Sequence, residues 1–115
     1  MNARVLVVDD NADLKALIVR RVEAAGHEIV GTAGTGPEAL AVASDGRPDV
    51  VVLDYQLPGM SGEDVARELR VTLPGVKIIA FSGVAISKPY WADGFVPKTD
   101  VSALEPLIQE LVDPE

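Results

Sequence analysis

Three aspartates of this sequence follow short apolar segments, and their placement indicates a site for a metal ion. Asp9 and Asp10 come directly after residues 4–8, and Asp54 comes directly after residues 49–53. Two carboxylates ~4 Å apart repel by ~4 kcal/mol at an effective dielectric constant of about 20, so three together need a proton or a cation. Because the sequence has no cysteine and offers oxygen ligands, the expected cation is Mg²⁺, which keeps waters and accepts phosphate oxygens.

The elements that position these aspartates are predicted from apolar runs. Five runs have the composition of parallel strands, at residues 4–8, 27–32, 49–53, 76–81 and 94–97. They alternate with helical segments, which predicts an α/β domain with helices on both faces of the sheet. In the flavodoxin-like, doubly wound order 2-1-3-4-5 the first and third strands are neighbours, so Asp9, Asp10 and Asp54 are expected to converge. Pro97 cannot donate to a sheet ladder, so the fifth strand is expected at an edge.

The helices are predicted from capping signals and from apolar residues at helical spacing. The first helix begins after Asn11 and is closed by Gly26. The second begins at Thr35, which has the capping-box spacing to Glu38, and another covers residues 63–70. The apolar stripes of the first and last helices are Leu14, Leu17, Ile18, Val22 and Ala25, and Leu104, Leu107, Ile108 and Leu111.

The connection between the fourth and fifth strands, which we call the fourth crossover, covers residues 83–93. It is close to the shortest that parallel strands can use, so the fourth helix is expected to be shortened or irregular. Ser87 could cap one turn with Pro89 inside its start. Tyr90 and Trp91 are predicted to anchor this segment by packing, whereas an exposed tryptophan here would favour a partner site.

Four motifs each follow the end of a different strand. They are VVDDN at 7–11, LDYQLPGMSG at 53–62, Ser82 and Lys98. In this order and spacing the sequence resembles the receiver domains of two-component response regulators, along nearly its whole length. We therefore expect a single receiver domain over residues 1–115.

The resemblance implies that Asp54 is the phosphoacceptor. It would take a phosphoryl group from a histidine kinase or a histidine phosphotransfer protein. Asp9, Asp10 and Asp54 would bind Mg²⁺ together with the main-chain carbonyl of Gln56. Lys98 would pair with the resulting acyl phosphate as a point charge.

The resemblance also implies a switch and contains two departures from the family pattern. Ser82 would donate its hydroxyl to a phosphoryl oxygen and move toward it, and Phe95 matches the aromatic residue whose rotamer reports that movement. Similar receivers have a proline in a cis peptide after the lysine, but here Thr99 follows Lys98. A non-proline cis bond costs ~2.5–4 kcal/mol, so a trans bond is expected. The short fourth crossover alters the surface that family members use for partners.

Composition limits the classes of partner. Eighteen acidic and ten basic residues give a net charge of −8, which would repel nucleic acids and anionic lipids. No apolar run reaches ~18 residues and the amino terminus has no signal-peptide layout, so a cytoplasmic location is expected. The partners expected are a kinase or phosphotransfer protein and an unknown downstream protein, with the chain a monomer or weak dimer. His27, the single histidine, is expected either to supply a favourable charge at the end of the first helix or to be a surface residue at the start of the second strand.

Two other functions stay open. One is a binding module that keeps the fold but acts without phosphorylation, which the short crossover and Thr99 favour. The other is a Mg²⁺-dependent phosphohydrolase, which would need a substrate-selecting cap for which 115 residues leave no room. We therefore expect no enzyme activity beyond self-phosphorylation and autodephosphorylation. Whether the chain stands alone or is excised from a hybrid protein is also open.

Overall fold

The computed structural model describes residues 2–83 and 87–113. The elements in chain order are β1 (Arg4–Val8), α1 (Ala12–Ala24), β2 (Glu28–Ala33), α2 (Gly36–Gly46), β3 (Val50–Asp54), β4 (Gln56–Leu57), β5 (Met60–Ser61), α3 (Gly62–Thr72), β6 (Lys77–Ser82), β7 (Gly94–Pro97) and α4 (Leu104–Val112). A short 3₁₀ turn, Val101–Ala103, precedes α4. No helix in the described part of the chain is long and apolar enough to cross a membrane.

The main sheet has five parallel strands in the order β2-β1-β3-β6-β7. Without the short strands β4 and β5, which pair only with each other, this is the predicted order 2-1-3-4-5. The prediction of a flavodoxin-like, doubly wound sheet is therefore confirmed. Strand β7, which contains Pro97, lies at the edge, as expected for a residue that cannot donate to a ladder.

Side-chain caps set the starts of three helices. Asn11 Oδ1 accepts a hydrogen bond from the backbone N–H of Leu14 at 3.0 Å. Thr35 Oγ1 accepts one from Glu38 at 3.2 Å, and Ser61 caps α3 through the same spacing. Each cap satisfies a backbone donor that has no partner within its helix. The caps fix where α1, α2 and α3 begin, at the edge of the sheet where the strands end.

The core consists of two clusters, one on each face of the sheet. Alternate strand residues belong to different clusters because successive side chains of a strand point to opposite faces. In the central strands β1, β3 and β6, the residues that pack under α2 and α3 are Leu6, Val8, Val51, Leu53, Ile78 and Ala80. Those that pack under α1 and α4 are Val5, Val7, Val50, Val52, Ile79 and Phe81. Every central strand is therefore covered on both faces, as its composition predicted.

Sequence-based predictions about three side chains in and after α1 are wrong. Leu17 is 37% exposed and Ala25 is exposed, so the apolar stripe of α1 is narrower than predicted. Helix α1 contacts the sheet along Ile18 and Val22, and Leu17 lies about 100° around the helix from Ile18. His27 is buried rather than exposed, and its Nδ1 accepts a hydrogen bond from the Ala3 N–H at 2.9 Å.

The fourth crossover contains no helix between residues 87 and 93. A single turn is present, in which the Ala92 N–H donates to the Pro89 carbonyl at 3.2 Å. Residues 84–86 of the crossover lie outside the described residues. Trp91 is only 8% exposed and packs as an anchor, as predicted. The same prediction is wrong for Tyr90, which is 81% exposed.

Candidate functional site

Three carboxylates meet at the edge of the sheet where β1 and β3 end. Val8 pairs with Leu53 in the register of the two strands, so the residues that follow them lie side by side. Asp9, Asp10 and Asp54 each offer an oxygen within 4.8 Å of the others. Asp9 and Asp54 are buried, whereas Asp10 is exposed. The structure thus brings together the three residues that the topology placed at this edge.

Backbone donors orient the two buried carboxylates. Asp9 Oδ1 accepts a hydrogen bond from the Asn11 N–H at 2.8 Å, and Asp54 Oδ1 accepts one from the Gln56 N–H at 3.1 Å. Lys98 Nζ lies 2.9 Å from Asp9 Oδ2 and 3.2 Å from Asp54 Oδ2. The arrangement directs one oxygen of each carboxylate toward a shared cation.

One oxygen of the cluster lacks a hydrogen-bond donor. Asp9 Oδ2 is fully buried and accepts no hydrogen bond from the described residues, since its contact with Lys98 is an ion pair without hydrogen-bond alignment. A buried acceptor without a donor is rare in native proteins. A hard divalent cation binds oxygen ligands. The three converging carboxylates, with this oxygen of Asp9 among them, are therefore suited to bind such a cation. The residues present therefore suit Mg²⁺.

The electrostatics of the site are dominated by burial. Burial raises the pKa of Asp54 above its ordinary value, the hydrogen bond from Gln56 opposes this, and the charge of Asp9 adds to the rise while Lys98 lowers the pKa. Burial lowers the pKa of Lys98, but its contact with Asp9 and the charges of Asp54 and Asp9 outweigh that effect and raise the pKa. Lys98 is thus the ammonium that balances the acids in the absence of a metal.

An open cleft of about 440 Å³ lies over the acids. Its walls are formed by Asp10, Asp54, Gln56, Leu57, Pro58, Ser82, Gly83 and Lys98. Ser82 is buried at the end of β6, and its carbonyl accepts a hydrogen bond from the Lys98 N–H at 2.8 Å. Phe95 is half-buried and packs against the cluster under α2 and α3. The cleft thus combines two of the acids, Asp10 and Asp54, with the hydroxyl of Ser82 and the ammonium of Lys98.

The peptide bond between Lys98 and Thr99 is trans, as expected for a lysine that is not followed by proline. No cis peptide bond occurs among the described residues.

A hairpin follows Asp54 where only a loop was expected for residues 57–62. Strands β4 and β5 pair antiparallel, and the Gly62 N–H donates to the Tyr55 carbonyl at 3.1 Å. Gly59 at the hairpin tip has φ +76°, a conformation that suits glycine. The Pro58-Gly59 pair signalled a turn, but two-residue strands are too short to be predicted from alternation.

Replacing Gly62 by alanine is expected to destabilise the fold by ~1–3 kcal/mol, the usual cost of overpacking. A Cβ at this position would lie 2.9 Å from the Asp54 carbonyl oxygen and 3.0 Å from that of Tyr55, so backbone next to the site must shift. Chemical denaturation measures the loss. Gly75→Ala is the matched control, because a Cβ there meets nothing within 4 Å. Equal stability of the two variants would contradict this explanation.

Comparisons with known proteins match the sequence and the fold to one family. A family model of the response regulator receiver domain matches residues 5–98. The chemotaxis protein CheY of Thermotoga maritima is 36% identical over 84 residues, which are 73% of this chain and 70% of that protein. The probable transcriptional regulatory protein TcrX of Mycobacterium tuberculosis is 47% identical over 75 residues, which are 65% of this chain. Those residues are only 32% of TcrX, so the chain matches about a third of that regulator.

Solved structures agree. A two-component response regulator of the LuxR family from Aurantimonas sp. SI85-9A1 superposes with a TM-score of 0.89 and 26% identity, over 100% of this chain and 88% of that chain. The chemotaxis protein CheY4 of Vibrio cholerae has a TM-score of 0.83 and 26% identity, over 96% of this chain and 99% of that chain. The likeness therefore covers the sheet, the helices and the edge that carries the acids.

Proposed function

This chain belongs to the response regulator receiver domain family, and on that premise we propose that Asp54 accepts a phosphoryl group in a Mg²⁺-dependent reaction. The observation that carries the proposal is the convergence of Asp9, Asp10 and Asp54 within 4.8 Å, beside Lys98. The donor is a phosphohistidine of a histidine kinase or of a phosphotransfer protein. A downstream protein then recognises the phosphorylated form.

The transfer step follows from the chemistry of these groups. A carboxylate oxygen of Asp54 attacks the phosphorus, the bond from phosphorus to the histidine nitrogen breaks, and an aspartyl phosphate forms. Asp9, Asp10, Asp54 and the Gln56 carbonyl are the ligands that would hold Mg²⁺, which offsets the repulsion between the phosphoryl oxygens and the acids. Asp54 is both buried and next to an open cleft, so it can meet a donor that enters from solvent.

Lys98 and Ser82 act on the product. Lys98 Nζ is 3.2 Å from Asp54 Oδ2, so it can pair with the new phosphoryl oxygens without a large movement. Ser82 lines the same cleft and would donate its hydroxyl to another oxygen. Phosphorylation adds ~1.5–2 negative charges, and its contacts with Lys98 and Ser82 would bias the end of β6 and Phe95 toward a second arrangement.

The proposed reaction is a switch and not turnover of an external substrate. Each transfer modifies Asp54 itself, and hydrolysis of the aspartyl phosphate restores the starting state. The absence of helix between residues 87 and 93 and the presence of Thr99 favour one alternative, a receiver-like module that binds its partner without phosphorylation. The two functions differ in whether Asp54 is ever modified.

Incubation with acetyl phosphate and Mg²⁺, followed by intact mass measurement, tests the proposal. We expect the mass increase of one phosphoryl group, formed at least ~10-fold more slowly when EDTA removes the metal. The metal dependence follows from the charge of the acids that surround Asp54. If hydrolysis of the adduct is too fast for mass measurement, beryllofluoride, a stable mimic of the phosphoryl group, should still bind at Asp54 and change the NMR spectrum. No adduct and no response to beryllofluoride would favour the phosphorylation-independent module.

A further inference from the structure

The fourth crossover reaches the segment that follows Asp54, because Trp91 lies beside Gly62 and packs against the Tyr55 ring. A Cβ on Gly62 would lie 3.1 Å from Trp91 Cη2, at the far end of the indole. The same point is 2.9 Å from the carbonyl oxygen of Asp54 and 3.0 Å from that of Tyr55. The Tyr55 ring also packs against the indole, with ring centroids 5.6 Å apart and planes at 47°. The indole thus lies beside Gly62 and against the ring of Tyr55, the residue that directly follows Asp54.

The backbone at this point also directs the carboxylate of Asp54. The Tyr55 carbonyl accepts a hydrogen bond from the Gly62 N–H at 3.1 Å. The Gln56 N–H, which donates to Asp54 Oδ1 at 3.1 Å, belongs to the same peptide unit as the Tyr55 carbonyl. Because a peptide unit is planar and rigid, a shift of that carbonyl turns the Gln56 N–H as well. The indole is therefore linked to the direction of the carboxylate through its contacts with Tyr55 and Gly62, which share this peptide plane and its hydrogen bond.

Trp91 is itself held in place from two sides. Its carbonyl accepts a hydrogen bond from Arg70 Nη2 of α3 at 2.9 Å, and the same guanidinium reaches Asp93 at 3.1 Å. Asp93 in turn accepts a hydrogen bond from the Ile78 N–H of β6 at 2.8 Å. With 8% of its surface exposed, the indole cannot move away without breaking this packing. It is a fixed support for the backbone that it contacts.

We propose that Trp91 is a positioning residue for the metal and phosphoryl site. By packing against the Tyr55 ring and beside Gly62, its indole holds the peptide between Tyr55 and Gln56, so that the Gln56 N–H keeps Asp54 Oδ1 in place where Mg²⁺ would bind. The inference rests on the function proposed above, because it concerns the same acids. It gives the fourth crossover, which contains no helix between residues 87 and 93, a direct connection to the site.

Trp91→Phe separates positioning from core packing. Phenylalanine keeps an aromatic ring in the core but lacks the end of the indole that reaches Gly62. We expect Mg²⁺ to bind ~10-fold more weakly, as is typical when a group that supports a metal ligand is lost. NMR measures the affinity from the Mg²⁺ dependence of the Gln56 amide shift. Phosphorylation by acetyl phosphate should slow ~10-fold at subsaturating Mg²⁺ and recover at saturating Mg²⁺.

Ile108→Ala is the matched control for stability. Ile108 is fully buried in the cluster on the opposite face of the sheet, so its truncation weakens the fold without touching the Tyr55 peptide. We expect this variant to bind Mg²⁺ as the native chain does, even where it is less stable than Trp91→Phe. Native affinity in Trp91→Phe, or an equal loss in Ile108→Ala, would overturn the inference.

The same measurements separate this inference from the proposed function. A native chain that binds Mg²⁺ but takes no phosphoryl group contradicts the proposed function alone, and the affinities of the two variants still decide the role of Trp91. A native chain whose Gln56 amide does not respond to Mg²⁺ overturns the inference, because the supported ligand would then be absent.

Discussion

Replacing Asp54 by asparagine is expected to abolish phosphoryl transfer and, at the same time, to stabilise the metal-free fold. Transfer is lost because an amide offers no anionic oxygen to attack phosphorus. Stability increases because burial and the charge of Asp9 raise the pKa of Asp54, which means that the ionised carboxylate is unfavourable in the folded protein. For a domain of this size each kcal/mol gained raises Tm by roughly 4 °C.

Two measurements check this pair of effects. Intact masses after incubation with acetyl phosphate and Mg²⁺ report transfer, and thermal unfolding in EDTA reports stability. Asp45→Asn removes the same charge from an exposed residue near the end of α2, so we expect native transfer and a native Tm from this control. An adduct on Asp54→Asn would show that another residue is the acceptor, and a Tm below that of the native chain would contradict the electrostatic explanation.

The stability difference between the native chain and Asp54→Asn should also depend on pH. Below the ordinary aspartate value of 3.8 Asp54 is protonated in both the folded and the unfolded state, so the difference is constant. As the pH rises, the unfolded chain ionises first, while the raised pKa keeps the folded group protonated. The native chain therefore loses stability relative to the variant until the pH exceeds the folded pKa. Unfolding in EDTA across this pH range measures the interval in which the native chain loses stability relative to Asp54→Asn. A native chain that gains stability relative to the variant as the pH rises would contradict this prediction.

Replacing Lys98 by methionine is expected to slow phosphorylation ~100-fold, which is the usual loss when one donor to a developing charge is removed. Lys98 Nζ is 3.2 Å from Asp54 Oδ2. Among the described residues no other cationic side chain forms an ion pair with Asp54. In the absence of metal the variant should also lose ~2 kcal/mol of stability, less than a fully buried pair because Lys98 is 25% exposed. Mg²⁺ should restore part of this loss by replacing the missing charge.

The time course of adduct formation and denaturation with and without Mg²⁺ measure both effects. Lys77→Met is the control, because Lys77 is exposed at the opposite end of β6 and its loss changes the net charge equally. We expect native rates and stability from this control. A phosphorylation rate for Lys98→Met within a few-fold of the native rate would show that the ammonium does not act on the phosphoryl group.

The sheet and the acids could be predicted because their signals are local. Strands β1 and β3 are runs of Val and Leu that are buried on both faces, and the acid after each run marks the end of the strand. The cap residues Asn11 and Thr35 occupy the positions that their side-chain chemistry favours. Once the strand order follows from alternation, the convergence of the acids needs no further information.

The features that could not be predicted depend on contacts between distant residues. His27 is buried because its ring accepts a hydrogen bond from Ala3, and no pattern around a single histidine indicates such a partner. Leu17 has helical spacing, but its exposure depends on where α1 crosses the sheet. Trp91 was expected to pack, yet its contacts with Tyr55 and Gly62 appear only when β3, α3 and the fourth crossover are assembled.

The alternation of side chains along the strands has a consequence for how the molecule melts. Val5 and Leu6 are neighbours in β1 but belong to different core clusters. If the helices on one face detached, half the side chains of every central strand would be exposed to water, while the other half of the same strands would stay buried on the opposite face. Detaching the helices of either face would therefore have a large free-energy cost, and we expect the domain to unfold in one cooperative transition.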